Sequence, residues 1–248
     1  MPATPDTLPP GLASADLICP TVPGRYQAAT LDGYHPATPT QTEALAAARD
    51  VSHRLTGETR RRASLVLLGT PGVGKSHLAA AICHAVTADL MVPWRIEANR
   101  ANDEYDAALA RSVGHAPTWN DRPVVRRVPR PTLPEWVNVP SLVVDVKAEM
   151  HLPDDEQQRT TFARSLRSLR TLVVLDDLGR ERISEWTGEL LYVVVNDRYE
   201  AGLPTIATSN LTVEELVAAG YWPAISRLAE DGRLIEVKAH DHRLRRTA

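Results

Sequence analysis

The sequence predicts a doubly wound, parallel α/β fold built around a phosphate loop, and three observations carry that expectation. Gly69-Thr70-Pro71-Gly72-Val73-Gly74-Lys75-Ser76 follows the apolar run Leu65-Val66-Leu67-Leu68 and opens a helical pattern through Leu78, Ala81, Ile82, Ala85 and Val86. That is the strand, glycine turn and helix order that such a loop requires. Leu172-Val173-Val174-Leu175 is apolar without alternation, as in a strand covered on both faces, and ends in Asp176-Asp177. Strand and helix patterns then alternate to the end of the chain, which implies helices on both sides of one sheet.

Taken in order, residues 1–24 are rich in proline and lack periodicity, and read as an extended, partly disordered arm before a domain spanning 25–248. The stretch from Gly24-Arg25-Tyr26 to Tyr34 has mixed character and is expected to lie over the base of a bound nucleotide. Thr40–Leu55 carries Leu45, Ala48, Val51 and Leu55 in helical register, and Gly57 ends it. Arg60-Arg61-Arg62 reads as a solvated loop more readily than as a DNA contact. The helix after the phosphate loop is expected to end near Val86, with a short strand at Leu90-Met91-Val92 stopped by Pro93 and an isolated helix within 97–112.

Residues 94–136 are expected to form an inserted segment, since Pro117, Pro123, Pro129, Pro131 and Pro134 interrupt regular structure. Arg122, Arg126, Arg127 and Arg130 make it basic, a hint of a polyanion or acidic partner set against a loop kept soluble by arginine. Strand character resumes at Val137–Val139, followed by helices at Ser141–Met150 and from Asp154 to Arg170. Helices over Glu185–Tyr199, Val213–Ala219 and Pro223–Ala229 and strands over Pro204–Thr208 and Leu234–Val237 complete a five-stranded sheet, with a C-terminal helical lid reduced or absent.

Bulk composition narrows the function. At 248 residues with 43% hydrophobic content, the chain builds one sizeable core. A net charge of −3 argues against passive coating of nucleic acid, so any DNA contact is a local patch. No apolar run is long enough for a membrane span and the first residues lack a signal-peptide pattern, so a cytoplasmic location without membrane contact is expected. The two cysteines, Cys19 and Cys83, form no CxxC pair; on count they exclude a zinc site, and a disulfide is not expected.

The candidate site is a phosphate cradle. Glycines curl the loop so that successive N–H groups face a polyphosphate, and the helix start adds its positive dipole end. Gly69 to Ser76 and the following His77 are the nucleotide-binding candidates; Lys75 would reach the β and γ phosphates. Ser76 and Asp176 would hold Mg²⁺. Asp177 is the candidate for polarising the attacking water, shorter by one methylene than the glutamate many ATPases place there. Asn210, at the tip of the fourth strand, would orient that water or sense the γ-phosphate, unless it is a turn asparagine.

These residues, with Gly24-Arg25-Tyr26, Leu172 to Gly179, Asn196-Asp197-Arg198-Tyr199-Glu200, Leu203-Pro204-Thr205 and Thr208 to Leu211, resemble the DnaC/IstB-type AAA+ ATPases. That family comprises bacterial and phage helicase loaders and transposition helper ATPases, and the resemblance covers roughly residues 23–246. It implies that Asn210 is the first sensor, that Arg227 is an arginine finger reaching a neighbouring subunit's ATP, and that Arg243 is a second sensor; from spacing alone either arginine reads as a surface ion pair. It further implies a slow ATP hydrolase that self-assembles through its ATP sites and engages single-stranded DNA and a replicative helicase. Arginines between 159 and 170 are the nearest DNA-binding candidates. The alternatives are a transposition helper working with a transposase, and a nucleotide-switched adaptor in which hydrolysis is incidental.

Overall fold

The computed structural model describes residues 8–57, 63–111, 127–149, 166, 167, 169, 171–182 and 184–240. The described residues divide into two compact units, one drawn from Cys19–Val86 and Thr132–Ala248, the other from Met1–Ile18 and Thr87–Pro131.

The larger unit holds five strands: β1 (Ser64–Leu68), β2 (Glu135–Asn138), β3 (Val173–Leu178), β4 (Thr205–Ser209) and β5 (Gly232–Glu236). All pair in parallel, in the order β2-β3-β4-β1-β5. Every residue of β1 and β4 is buried, as expected of central strands with both faces covered. Side chains alternate between faces, so Val66, Leu68, Val137, Val173, Leu175 and Ala207 share one apolar cluster with Leu142, Leu191, Val194, Ile225 and Leu228 from three helices. Those helices are α3 (Val139–Glu149), α4 (Glu185–Glu200) and α6 (Trp222–Asp231), with the short α5 (Val213–Ala218) before the last. The intervening Leu65, Leu67, Val174 and Ile206 are equally buried, and α1 (Pro39–Leu55) packs against β1 and β5.

Local chemistry sets the helix starts. The Thr38 hydroxyl accepts from the Gln41 N–H and Pro39 begins α1, an N-cap followed by a residue with φ already helical. Ser184 with Thr187, and Thr212 with Glu215, cap α4 and α5 reciprocally.

The helix after the phosphate loop departs most from expectation. α2 runs without interruption from Lys75 to Arg111, so Leu90-Met91-Val92 is helical and not a strand, and the first half of the expected insertion is helix. Pro93 sits inside α2 and removes one backbone donor, while the alanine-rich turns before it and the fully buried Met91 carry the helix through. Within the smaller unit, Trp94 Nε1 donates to the Val128 carbonyl at 3.3 Å, and the guanidinium carbons of Arg95 and Arg130 lie 4.7 and 5.7 Å from the Trp94 ring centre. Arg130 of the basic stretch therefore stacks on an aromatic face, whereas Arg122 and Arg126 lie outside the described residues.

The lead-in is more ordered than expected. It forms a 3₁₀ turn at Ser14–Leu17 and another at Gly24–Tyr26, and it buries Leu12, Cys19 and Val22. Arg60-Arg61-Arg62, Asp154, Arg159, Arg164, Arg170 and Arg243 lie outside the described residues, as does most of the expected helix from Asp154 to Arg170.

Candidate functional site

The site lies at the carboxyl edge of the sheet, where β1, β3 and β4 end side by side. A cavity of about 800 Å³ opens there, lined by Gly72, Gly74, Lys75, Ser76 and His77, by Asp177 and Asn210, and by Arg25, Tyr34 and Arg180. Ligands of open parallel sheets bind at this edge because loops and helix starts converge on it.

Close packing fixes the phosphate loop. Gly69 ends β1 at φ +138, and a Cβ there would stand 2.2 Å from the Val237 carbonyl oxygen. Gly74, at φ +102, lies under the Tyr34 ring, which a Cβ would meet at 2.4 Å. Only glycine fits either place. The Tyr34 hydroxyl and the Gln41 amide both donate to the Val73 carbonyl, at 3.0 and 3.1 Å, so the segment before α1 and the first turn of α1 grip the loop from one side. Burial pushes the Tyr34 phenol up to about 12, which keeps it a donor at neutral pH.

Lys75 starts α2 and is almost completely buried. Its ammonium donates to the carbonyls of Gly69 and Thr70 at 2.6 and 2.9 Å and to Asn210 Oδ1 at 2.9 Å. The Asn210 Nδ2 group faces Asp177 Oδ1 at 3.4 Å. Only this amide orientation suits both neighbours, because an ammonium offers no acceptor and an ionised carboxylate no donor. Asn210 thus bridges Lys75 and Asp177.

Asp176 is buried beside this bridge. Its Oδ1 accepts from Ser76 Oγ at 2.8 Å and from Thr208 Oγ1 at 2.6 Å. Burial pushes the carboxyl above its ordinary range; the hydrogen bonds from Thr208 and Ser76 pull it back, the Asp177 charge raises it, and the Arg25 charge lowers it. A hydroxyl and a carboxylate oxygen this close form a hard-oxygen pair that suits a small divalent cation whose remaining ligands are phosphate oxygens and waters. The residues present therefore fit Mg²⁺.

A backbone irregularity turns the next acid elsewhere. The pairing of β3 with β4 shifts register between Leu175 and Leu178, and Asp177 within that shift has φ +60, alone among the described non-glycine residues in being positive. Such a bulge re-aims a side chain next to a site. Its N–H donates to Thr208 Oγ1 at 3.1 Å, while its carboxylate lines the cavity and meets the Arg180 guanidinium at 3.4 Å. Downstream, the Glu181 carboxylate accepts from the Gly179 N–H at 3.1 Å and from the Tyr221 hydroxyl at 2.6 Å, tying the loop after β3 to the start of α6.

Arg227 stands apart. It projects from α6, lies 5.0 Å from the Tyr199 ring centre and 3.8 Å from Glu230, and does not line the cavity of its own chain. Arg167, the DNA-binding candidate among the described residues, is ion-paired with Asp197. The structure thus brings together Lys75, Ser76, Asp176, Asp177 and Asn210 and leaves Arg227 outside. Thr208, Gln41 and Arg180 were missed as site residues. The apolar strand ending in a threonine level with the acidic pair was the available signal for Thr208; nothing local marked the other two.

A five-stranded parallel sheet with a phosphate loop after β1, and paired acids at the end of β3 on the other side of β4, defines the AAA+ class of phosphate-loop NTPase folds. Within that class the fold is of DnaC type. The structure is similar to that of the DnaC helicase loader, at 25% identity and a TM-score of 0.59, over 87% of this chain and 100% of the loader. It also resembles DnaI, at 18% identity and a TM-score of 0.56, over 88% and 93% of the two chains. A DnaA replication initiator bound to AMPPCP and single-stranded DNA aligns at 16% identity and a TM-score of 0.53, over 88% of this chain and 51% of that one. A family model for the parvovirus non-structural protein NS1 matches residues 25–111, the stretch around the phosphate loop. No curated protein matches the chain. No helix among the described residues is long and apolar enough to cross a membrane.

Proposed function

We propose that this chain is an ATP-dependent DNA replication factor, a DnaC-like helicase loader that binds ATP with Mg²⁺ and hydrolyses it slowly. The observation that carries the reading is the bridge of Lys75, Asn210 and Asp177 beside the Ser76–Asp176 pair, all at the mouth of one cavity. The likeness to the DnaC helicase loader over the whole of its solved chain supports the replication role.

In this reading the loop amides and Lys75 hold the β and γ phosphates, with Lys75 exchanging carbonyl partners for phosphate oxygens. Ser76 and Asp176 would hold Mg²⁺, which would supply charge neutralisation for the phosphate oxygens. Asp177 accepts a proton from the attacking water, and Asn210 orients that water while keeping Lys75 and Asp177 in register. Arg227 acts in trans, at the ATP of an adjoining copy, which accords with its place outside its own cavity. Nucleotide state then alters the grip on single-stranded DNA and on a replicative helicase.

The test is capture of partners from the native host on immobilised protein, with ATP and separately with ADP. Retention of the replicative helicase in one nucleotide state and not the other is expected. A transposase in its place, or capture indifferent to nucleotide, overturns the loader reading.

A further inference from the structure

We propose that Thr208 is a positioning residue for hydrolysis at this site, its buried hydroxyl holding the backbone turn that aims Asp177 into the cavity. The inference rests on the nucleotide reading above.

β3 and β4 pair in simple register as far as Leu175 opposite Ala207, and pairing resumes with Leu178 opposite Ser209. Asp176 and Asp177 therefore stand against a single residue of β4, Thr208, the two-against-one arrangement of a bulge. That residue serves both acids through one oxygen. Thr208 Oγ1 donates its proton to Asp176 Oδ1 at 2.6 Å and accepts from the Asp177 N–H at 3.1 Å. A hydroxyl has one proton to give and lone pairs to receive with, so the two bonds are compatible and strengthen each other.

The contact falls where the backbone is strained. Asp177 has φ +60, a left-handed conformation that persists only when the surroundings enforce it. Its main chain is fixed at the N–H by Thr208 and at the carbonyl by the Arg180 N–H, 3.2 Å away. On the far side of the bulge, Ser209 Oγ donates to the Leu178 carbonyl at 2.6 Å. With these bonds made, the Asp177 carboxylate lines the cavity and faces Asn210.

Thr208 itself is fully buried in an inner strand and is not among the residues lining the cavity. Valine would fill the same space, favours strands equally and carries no hydroxyl to desolvate. The hydroxyl is accounted for by the two acids it bonds, and Thr208 acts on the reaction through Asp177.

The experiment compares wild type with T208V and T208S, and combines T208V with D177N. It records thermal unfolding, exchange of the Asp177 amide hydrogen by NMR, saturable binding of labelled ATP with Mg²⁺, and single-turnover hydrolysis. T208V is expected to exchange the Asp177 amide about tenfold faster or more. It should hydrolyse ATP about 10- to 100-fold more slowly while binding it within about threefold of wild type. T208S recovers most of the protection and most of the rate. Adding T208V to D177N costs less than about twofold further, because both changes disable one group. T208A, alone and with D177N, takes the place of T208V if T208V does not fold. Losses that multiply in the double variant, unchanged exchange or hydrolysis without the hydroxyl, or no recovery in T208S overturn the role of Thr208 and leave the nucleotide reading standing. Failure of both hydroxyl-free variants to fold makes the hydroxyl structural and overturns the role likewise. A wild-type chain that binds no ATP overturns the nucleotide reading and this role with it.

Discussion

Asn210 Oδ1 accepts a hydrogen bond from Lys75 Nζ at 2.9 Å, across 135 positions of sequence. Through its other end the same amide reaches Asp177. In the proposed function, the group that would hold phosphate and the group that would handle water are therefore separated by a single side chain, so a change at one is expected to be felt at the other.

Replacing Asn210 with Ala removes that side chain but leaves the phosphate loop whole. ATP affinity should stay within about threefold, while hydrolysis falls by about 10- to 100-fold, the cost of a misaligned water. Binding and single-turnover measurements on N210A check this; a loss confined to affinity would contradict it.

Asp177→Asn keeps the size, and asparagine tolerates the left-handed backbone found there. Turnover should drop by about a hundredfold or more with ATP still bound, because an amide accepts no proton. If the helicase remains captured but is not released by D177N, turnover serves release. Unchanged biological activity would favour a switch in which hydrolysis is incidental.

For Arg227 the expectation concerns pairs of subunits. R227A and K75A should each be inactive alone, the first losing on the order of 10³ in rate. Mixed, they should regain roughly a quarter of wild-type activity, the share of adjoining pairs in which an intact site faces an intact arginine under random assembly. No recovery in the mixture would place Arg227 in another role.

Asp176 makes a pH prediction. Burial raises its pKa in the folded chain, so without metal the ionised form is held at a cost. Stability of the nucleotide-free protein should therefore increase as pH falls through the folded pKa, and this contribution is fully present below the unfolded value. Asp176→Asn preserves the acceptor for Ser76 and Thr208 while removing the charge. At neutral pH D176N should melt higher than wild type without nucleotide, and it should lose the further stabilisation that Mg·ATP gives wild type. Thermal scans with and without Mg·ATP decide both halves.

Arg198 concerns the fold itself. It is fully buried and donates to Thr205 Oγ1 and to the carbonyls of Leu166, Leu169, Thr171 and Pro204, at 2.7–2.9 Å. Burial lowers its pKa to about 10, so it stays charged at neutral pH. Arg198→Met would strand those carbonyls away from water and destabilise the chain by about 3–5 kcal/mol. Denaturant unfolding measures this, and a shift below about 1 kcal/mol would deny Arg198 its bracing role.

Much of this was legible from local order in the chain. The phosphate loop announces itself because its chemistry is contiguous, and β3 because both faces of a central strand must be apolar. The limits of β2, α1, α4 and β4 differ from expectation by a residue or two, the usual fraying of element ends. Leu90-Met91-Val92 misled because a short apolar run fits a buried strand and a buried helix face equally well. Arg198 falls in helical register with Leu191, Val194 and Val195, and that register was the sign that it turns inward. The acceptors it satisfies, like the Thr208–Asp176 contact, arise from tertiary closure and leave no trace in sequence spacing.

The left-handed turn at Asp177 limits which acids the position admits. Aspartate and asparagine enter that conformation with modest strain, whereas a longer side chain pays more for it. Lengthening the acid to glutamate would thus ask the main chain to move before any gain in reach could be realised. The shorter carboxylate is first a choice made by backbone geometry, and its chemistry follows from that choice.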